Sequence, residues 1–145
     1  MQVKEIMNKQ VKSISLGMNA KEALDLLERL QISGLPVIDE NKHLVGMFTE
    51  KEILTNILPS YLNNIGVVAY DVAKKTIKER INALLLLTVK DIMRTEVIFV
   101  RQDTSIFEIA RIMIKDKTRR IPVVNNNNEV VGIIARVDIM KFLFL

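Results

Sequence analysis

Four basic residues, Lys115, Lys117, Arg119 and Arg120, crowd the approach to the dipeptide Ile121-Pro122. A guanidinium meets phosphate oxygens with forked hydrogen bonds, so anion recognition is the chemistry this cluster could do. Two glycine-led stretches end in a carboxylate six residues on: Gly46-Met47-Phe48-Thr49-Glu50-Lys51-Glu52 and Gly132-Ile133-Ile134-Ala135-Arg136-Val137-Asp138. The first keeps a hydroxyl at Thr49, and the second has Ala135 there. Little else is reactive. The single histidine, His43, lies in a polar turn with no carboxylate pattern to make it a base or a ligand. Cysteine is absent, which excludes a thiolate nucleophile, a disulfide framework and a thiolate metal site. With no phosphate loop and no Ser/His/Asp set, neither enzymatic activity nor a bound metal is expected.

The elements that position these residues come from an internal repeat. Val3-Lys4-Glu5-Ile6-Met7 recurs as Val89-Lys90-Asp91-Ile92-Met93, an offset of 86 that holds without a gap for Val11 and Val97, Glu22 and Glu108, Pro36 and Pro122, Gly46 and Gly132, and Ile53 and Ile139. About a fifth of the paired positions are identical. The spacing of glycine, proline and apolar positions still marks two copies of one module.

Each copy reads as strand, helix, strand, strand, helix. Short apolar strands are expected at 11–14 and 97–100. Asn19 with Glu22 and Ser105 with Glu108 have the form of capping boxes. Apolar stripes follow, Ala20, Ala23, Leu24, Leu27 and Leu30 in one copy and Ile106, Ile109, Ala110 and Met113 in the other. Hairpins come next, 35–48 and 121–134, with the asparagines at 125–128 forming a turn in which Asn tolerates positive φ. Closing helices are expected over 51–58 and 137–145.

The modules are thus 1–58 and 89–145, joined by a helical insert at 59–88. The insert's apolar residues Val68, Val72, Ile77, Ile81, Leu84 and Leu85 need a surface to cover. No run approaches the roughly 18 apolar residues of a membrane span, and Lys4, Glu5 and Lys9 stand where a signal peptide would be apolar. A soluble cytoplasmic protein is expected. Its net charge of +4 is uneven: residues 1–58 hold seven basic and eight acidic groups, and 89–145 hold ten and seven.

The module order, the hydrophobic-Pro-Val hairpin entry and the Gly before the last helix resemble the CBS domain, and two copies resemble a stand-alone CBS pair, or Bateman module. The resemblance implies an α/β (α+β) fold: two pseudo-symmetric β-α-β-β-α modules packed sheet to sheet, with clefts between them and often a homodimer of pairs. It also implies an adenine nucleotide (AMP, ADP or ATP) as ligand, with S-adenosylmethionine as a further adenosyl candidate. The family's signature is Gly-x-x-Thr/Ser-x-x-Asp, and both copies here are imperfect. By that resemblance Asp138 would hold ribose, Thr49 and Arg120 would meet phosphate, Arg119 would assist, and Ile121 and Val123 would offer backbone amides and apolar walls.

The function expected is a regulatory sensor that signals through module or dimer packing to a separate effector protein. Two other readings compete with it. A ligand-free dimerisation module is favoured by Ala135 and Glu52. Nucleic-acid binding is suggested by the pI of 9.4 and the basic run 111–120 but opposed by the few aromatic residues and the lack of a recognition motif.

Overall fold

The computed structural model describes residues 1–58 and 77–145, so Val68 and Val72 of the expected insert helix lie outside the described residues. The chain is a mixed α/β protein. The first repeat gives a 3-10 turn at Val3–Glu5, β1 (Ile14–Ser15), α1 (Ala20–Leu30), β2 (Gly34–Ile38), β3 (Leu44–Thr49) and α2 (Glu50–Ile57). A helical stretch over 77–84, α3, precedes the second repeat. That repeat gives α4 (Val89–Ile92), β4 (Val100–Arg101), α5 (Ile106–Lys115), β5 (Arg120–Val124), β6 (Val130–Ala135) and α6 (Arg136–Phe144). Two three-stranded sheets result, in the orders β1-β2-β3 and β4-β5-β6.

The first strand of each repeat is shorter than its apolar run predicts. Ile14 and Val100 are buried, whereas Ile98 and Phe99 are exposed, and only β1 and β4 are strand. Apolar composition marks a strand only where a neighbour supplies a ladder and a core. The caps differ too. Asn19 accepts from the Glu22 amide at 2.8 Å, with Glu22 turned back to the Asn19 side chain. Ser105 caps Phe107 at 3.2 Å, but Glu108 forks onto Arg111 at 2.9 and 2.6 Å instead of closing a box. A cation one turn on outcompetes the N-cap amide.

The repeat survives in the backbone's unusual residues. Gln31 and Lys117, 86 apart, take left-handed φ values of 56° and 54°, and Lys42 and Asn128 take 66° and 62°. In both hairpin turns the opening residue, Asp39 or Asn125, accepts two backbone N–H groups through its side-chain oxygen. This is the side-chain turn chemistry that lets Asp and Asn open a tight loop.

Two compact units form, and they cut across the repeat. Unit 1 contains Met1–Ser13, Ile38–Val45 and Glu96–Leu145; unit 2 contains Ile14–Val37 and Gly46–Thr95. The leader of each repeat, the segment around Val3–Met7 in the first and Val89–Met93 in the second, therefore belongs with the sheet of the other repeat.

Within unit 1 the Val3 amide donates to Thr104 at 2.9 Å, and Asn8 and Ile133 exchange backbone bonds of 2.9 and 3.0 Å. Val3 and Met7 join Val100, Ile109, Met113, Ile121, Val123, Ile134 and Ile139 in one core. Within unit 2 Val89 and Ile92 are buried, the Val89 amide donates to Met18 at 2.8 Å, and Met47 and Arg94 exchange two bonds of 2.9 Å. A buried valine contributes about 1.5–3 kcal/mol of transfer free energy, so each leader is part of the unit it enters. The insert's Leu84 is buried as expected, but Ile81 is 37% exposed.

Candidate functional site

In unit 1, β4 runs parallel to β5 and β6 runs antiparallel to it. Arg120 opens β5 directly opposite Ala135, the last residue of β6. Cross-strand partners project to the same face, which puts Arg120 beside the start of α6. There the Arg136 amide donates to the Arg119 carbonyl at 3.0 Å, which fixes the two arginines as neighbours. The Asp138 carboxylate turns back to accept the Ala135 amide at 2.8 Å. One of its oxygens thus caps α6.

The three guanidinium groups differ in their anchoring. The Arg136 Nε donates to the Thr118 carbonyl at 3.2 Å, which orients its fork. Arg119 and Arg120 are exposed. Among the described residues none of the three is ion-paired; the ion pairs found are His43 with Asp39, Arg94 with Glu52 and Arg111 with Glu108. Ile121 and Val123 run on down the strand from Arg120, and their side chains are enclosed in the unit 1 core. Their strand is the central one of its sheet.

Unit 2 carries the other copy, with Thr49 at the N-cap of α2. The Thr49 hydroxyl donates to the Glu52 carboxylate, and the Arg94 guanidinium lies 3.8 Å from the same carboxylate. The Glu50 amide donates to Ser33 at 2.9 Å, the counterpart of the bond from Arg136 to Arg119.

Two residues of these constellations are not singled out by sequence reading. Arg136 fills a variable position of the glycine-led stretch, and only its offset from Glu50, a charge reversal, could have flagged it. Arg94 follows the second leader and is 42 residues from Glu52 in sequence, so only the exchange of leaders brings the two together.

His43 has a turn role. Its amide donates to Asp39 at 2.9 Å and its Nδ1 lies 3.4 Å from the other carboxylate oxygen. The His43 amide, ahead of the other contacts, holds the Asp39 carboxyl below its ordinary value. A shallow pocket of about 220 Å³ lies at the far end of β5, lined by Lys4, Arg101, Gln102, Asp103, Val124 and Asn126. Its Arg101 is already bonded to the Asn125 carbonyl at 2.9 Å, and Asp103 offsets its charge. No helix among the described residues is long and apolar enough to cross a membrane.

The chain is similar to the uncharacterized protein MJ1426 of Methanocaldococcus jannaschii, at 29% identity over 99% of this chain and 91% of that protein. It spans between 22% and 53% of the length of four other curated relatives. Among solved structures it is similar to CBSX2 of Arabidopsis thaliana in complex with AMP, with a TM-score of 0.74 and 25% identity over 98% of this chain and 95% of that one. It is also similar to the CBS domain pair of MJ0100, solved in complex with 5′-methylthioadenosine and S-adenosyl-L-methionine, with a TM-score of 0.69 and 26% identity over 99% of both chains. The family model described as CBS domain matches twice, at residues 3–59 and 89–145. With both copies of the repeat matched, the chain belongs to the CBS domain family.

Proposed function

We propose that this protein is a cytoplasmic, non-enzymatic sensor that binds an adenine nucleotide (AMP, ADP or ATP) at the Asp138 copy of the motif. Asp138 keeps one carboxylate oxygen for the ribose hydroxyls while the other caps α6. Arg119 and Arg120 meet the phosphate, and Ile121 and Val123 hold the strand that carries them. Thr49 holds the corresponding place in the second copy. The observation that carries this reading is the set of guanidinium groups without carboxylate partners beside Asp138. Complexes of CBSX2 with AMP and of MJ0100 with adenosyl compounds support an adenosine-containing ligand. Binding that differs in strength between two packings of the protein suffices to signal to a separate effector.

The test is a thermal-shift screen of AMP, ADP, ATP, S-adenosylmethionine and GTP on the wild type and on Asp138→Ala. A ligand at 100 times its Kd stabilises by about 2.7 kcal/mol, which reads as a shift of several degrees. An adenosine compound should give that shift and lose it in the variant. No shift with any compound sinks the reading.

A ligand-free dimerisation module is the second reading. It is favoured by Val137, Met140 and Phe144, which are 54%, 52% and 72% exposed along α6, and by Phe107 and Ile114 on α5 at 65% and 79%. Apolar side chains left exposed along a helix are candidates for a contact surface. A homodimer is compatible with the sensor as well, so ligand binding, not oligomeric state, separates the two readings.

A further inference from the structure

The two copies of the motif have opposite electrostatics at matched positions. An offset of 86 maps Arg119, Arg120, Arg136 and Asp138 of unit 1 onto Ser33, Gly34, Glu50 and Glu52 of unit 2. Three cations and a carboxylate in one copy correspond to no cation and two carboxylates in the other. The exception runs the same way: Asn8 of unit 1 corresponds to Arg94 of unit 2, and Arg94 is spent on Glu52 at 3.8 Å. Glu52 is the better enclosed partner, with its side chain 13% exposed against 44% for Arg94. It also accepts the Thr49 hydroxyl.

In unit 2, then, both groups that a nucleotide would need are satisfied from within. Glu52 has a cation and a hydroxyl donor, the Thr49 hydroxyl is engaged as the donor of that hydrogen bond, and Glu50 repels phosphate. In unit 1 the charges lack partners: among the described residues no carboxylate pairs with Arg119, Arg120 or Arg136.

We infer that the repeat has divided its labour. Unit 1 receives one phosphate-bearing nucleotide per chain, with Arg136 as a specificity-determining phosphate contact, and the Thr49–Glu52–Arg94 copy is closed to ligand by its own ion pair. This deepens the sensor reading and rests on it. The closed copy is a structural element of unit 2 whose carboxylate anchors the leader residue Arg94.

The test is equilibrium dialysis of the full chain with AMP and with adenosine, on the wild type, Arg136→Glu, Asp138→Ala and Glu52→Gln. Arg136→Glu copies the residue of the other repeat at an exposed position, and circular dichroism reports that it folds. The expected result is one AMP per chain, lost in Asp138→Ala and kept in Glu52→Gln. Arg136→Glu should weaken AMP about ten- to hundredfold, the loss of a charged hydrogen bond, and leave adenosine binding unchanged. Two AMP per chain, or a single AMP lost in Glu52→Gln and kept in Asp138→Ala, overturns the division of labour and leaves the sensor standing. Equal weakening of AMP and adenosine by Arg136→Glu overturns the phosphate role. No binding of AMP, ADP, ATP or S-adenosylmethionine by folded wild type removes the sensor reading and this inference together.

Discussion

A Cβ on Gly34 would stand 2.5 Å from the Cγ2 methyl of Thr49 and 3.0 Å from its Cβ. Glycine at 34 is thus the complement of threonine at 49. In the other repeat the same two places hold Arg120 and Ala135, opposite each other in register. Side-chain volume has moved from one strand to its neighbour, so the hydroxyl missing at Ala135 makes room for a cation.

Gly34→Ala should therefore destabilise the protein by about 1–3 kcal/mol, the usual cost of overpacking. Adding Thr49→Ala should recover part of that loss, because it removes the Cγ2 methyl but leaves the Cβ at 3.0 Å and the Phe48 carbonyl at 3.1 Å. Urea unfolding of the four proteins of the cycle measures the coupling. Simple additivity of the two changes would show that the two positions do not share one space.

The motif glycines should differ from each other. A Cβ at Gly46 would meet the Met93 Sδ at 2.6 Å and the Arg94 carbonyl at 2.8 Å, whereas a Cβ at Gly132 would meet only side-chain atoms of Met7 at close range. A thioether chain can swing aside, but a carbonyl fixed by its bond to the Met47 amide cannot. Gly46→Ala should cost more stability than Gly132→Ala, and Met7→Ala should relieve the second substitution. Equal costs in urea unfolding would argue against a fixed backbone neighbour at 46.

These contacts separate what the residues disclose from what only the fold discloses. The helices, hairpins and turn residues are legible because each depends on local periodicity or turn chemistry: Ala20, Ala23 and Leu27 face inward, and Asp39 and Asn125 open their turns. Arg120 and Asp138 stand out in the sequence separately, one before the Ile-Pro pair and the other at the end of a glycine-led stretch, and strand register brings their elements together. The partner of Glu52 is not legible, since Arg94 arrives through a leader whose destination is set by tertiary packing. Glu108 likewise has two local partners within reach, and sequence alone does not rank them.

The exchange of leaders predicts where damage appears. Val3 and Val89 are each 0% exposed, in unit 1 and unit 2 respectively. Val3→Ala should raise hydrogen exchange at amides of β5 and β6, and Val89→Ala should raise it at β2 and β3. The first substitution lies more than 100 residues from the strands it loosens. Increased exchange confined to the mutated residue's own repeat would contradict the pairing of each leader with the other sheet.

The start of α4 should respond to acid. Asp91 accepts the Thr88 amide at 3.0 Å and the Thr88 hydroxyl at 2.8 Å. Of these the amide bond contributes most to holding its carboxyl below the ordinary value. A carboxyl with a lowered folded value stabilises the fold above its unfolded value, near pH 4, and loses that contribution as pH falls through the folded one. Asp91→Asn keeps the shape but removes the charge, so its melting temperature should fall below that of wild type at neutral pH. The gap should narrow below about pH 4 as the wild-type carboxyl takes up its proton. Thermal melts of both proteins from neutral to acid pH follow the gap directly. A gap that stays constant through the acid range would mean that the charge of Asp91 contributes nothing.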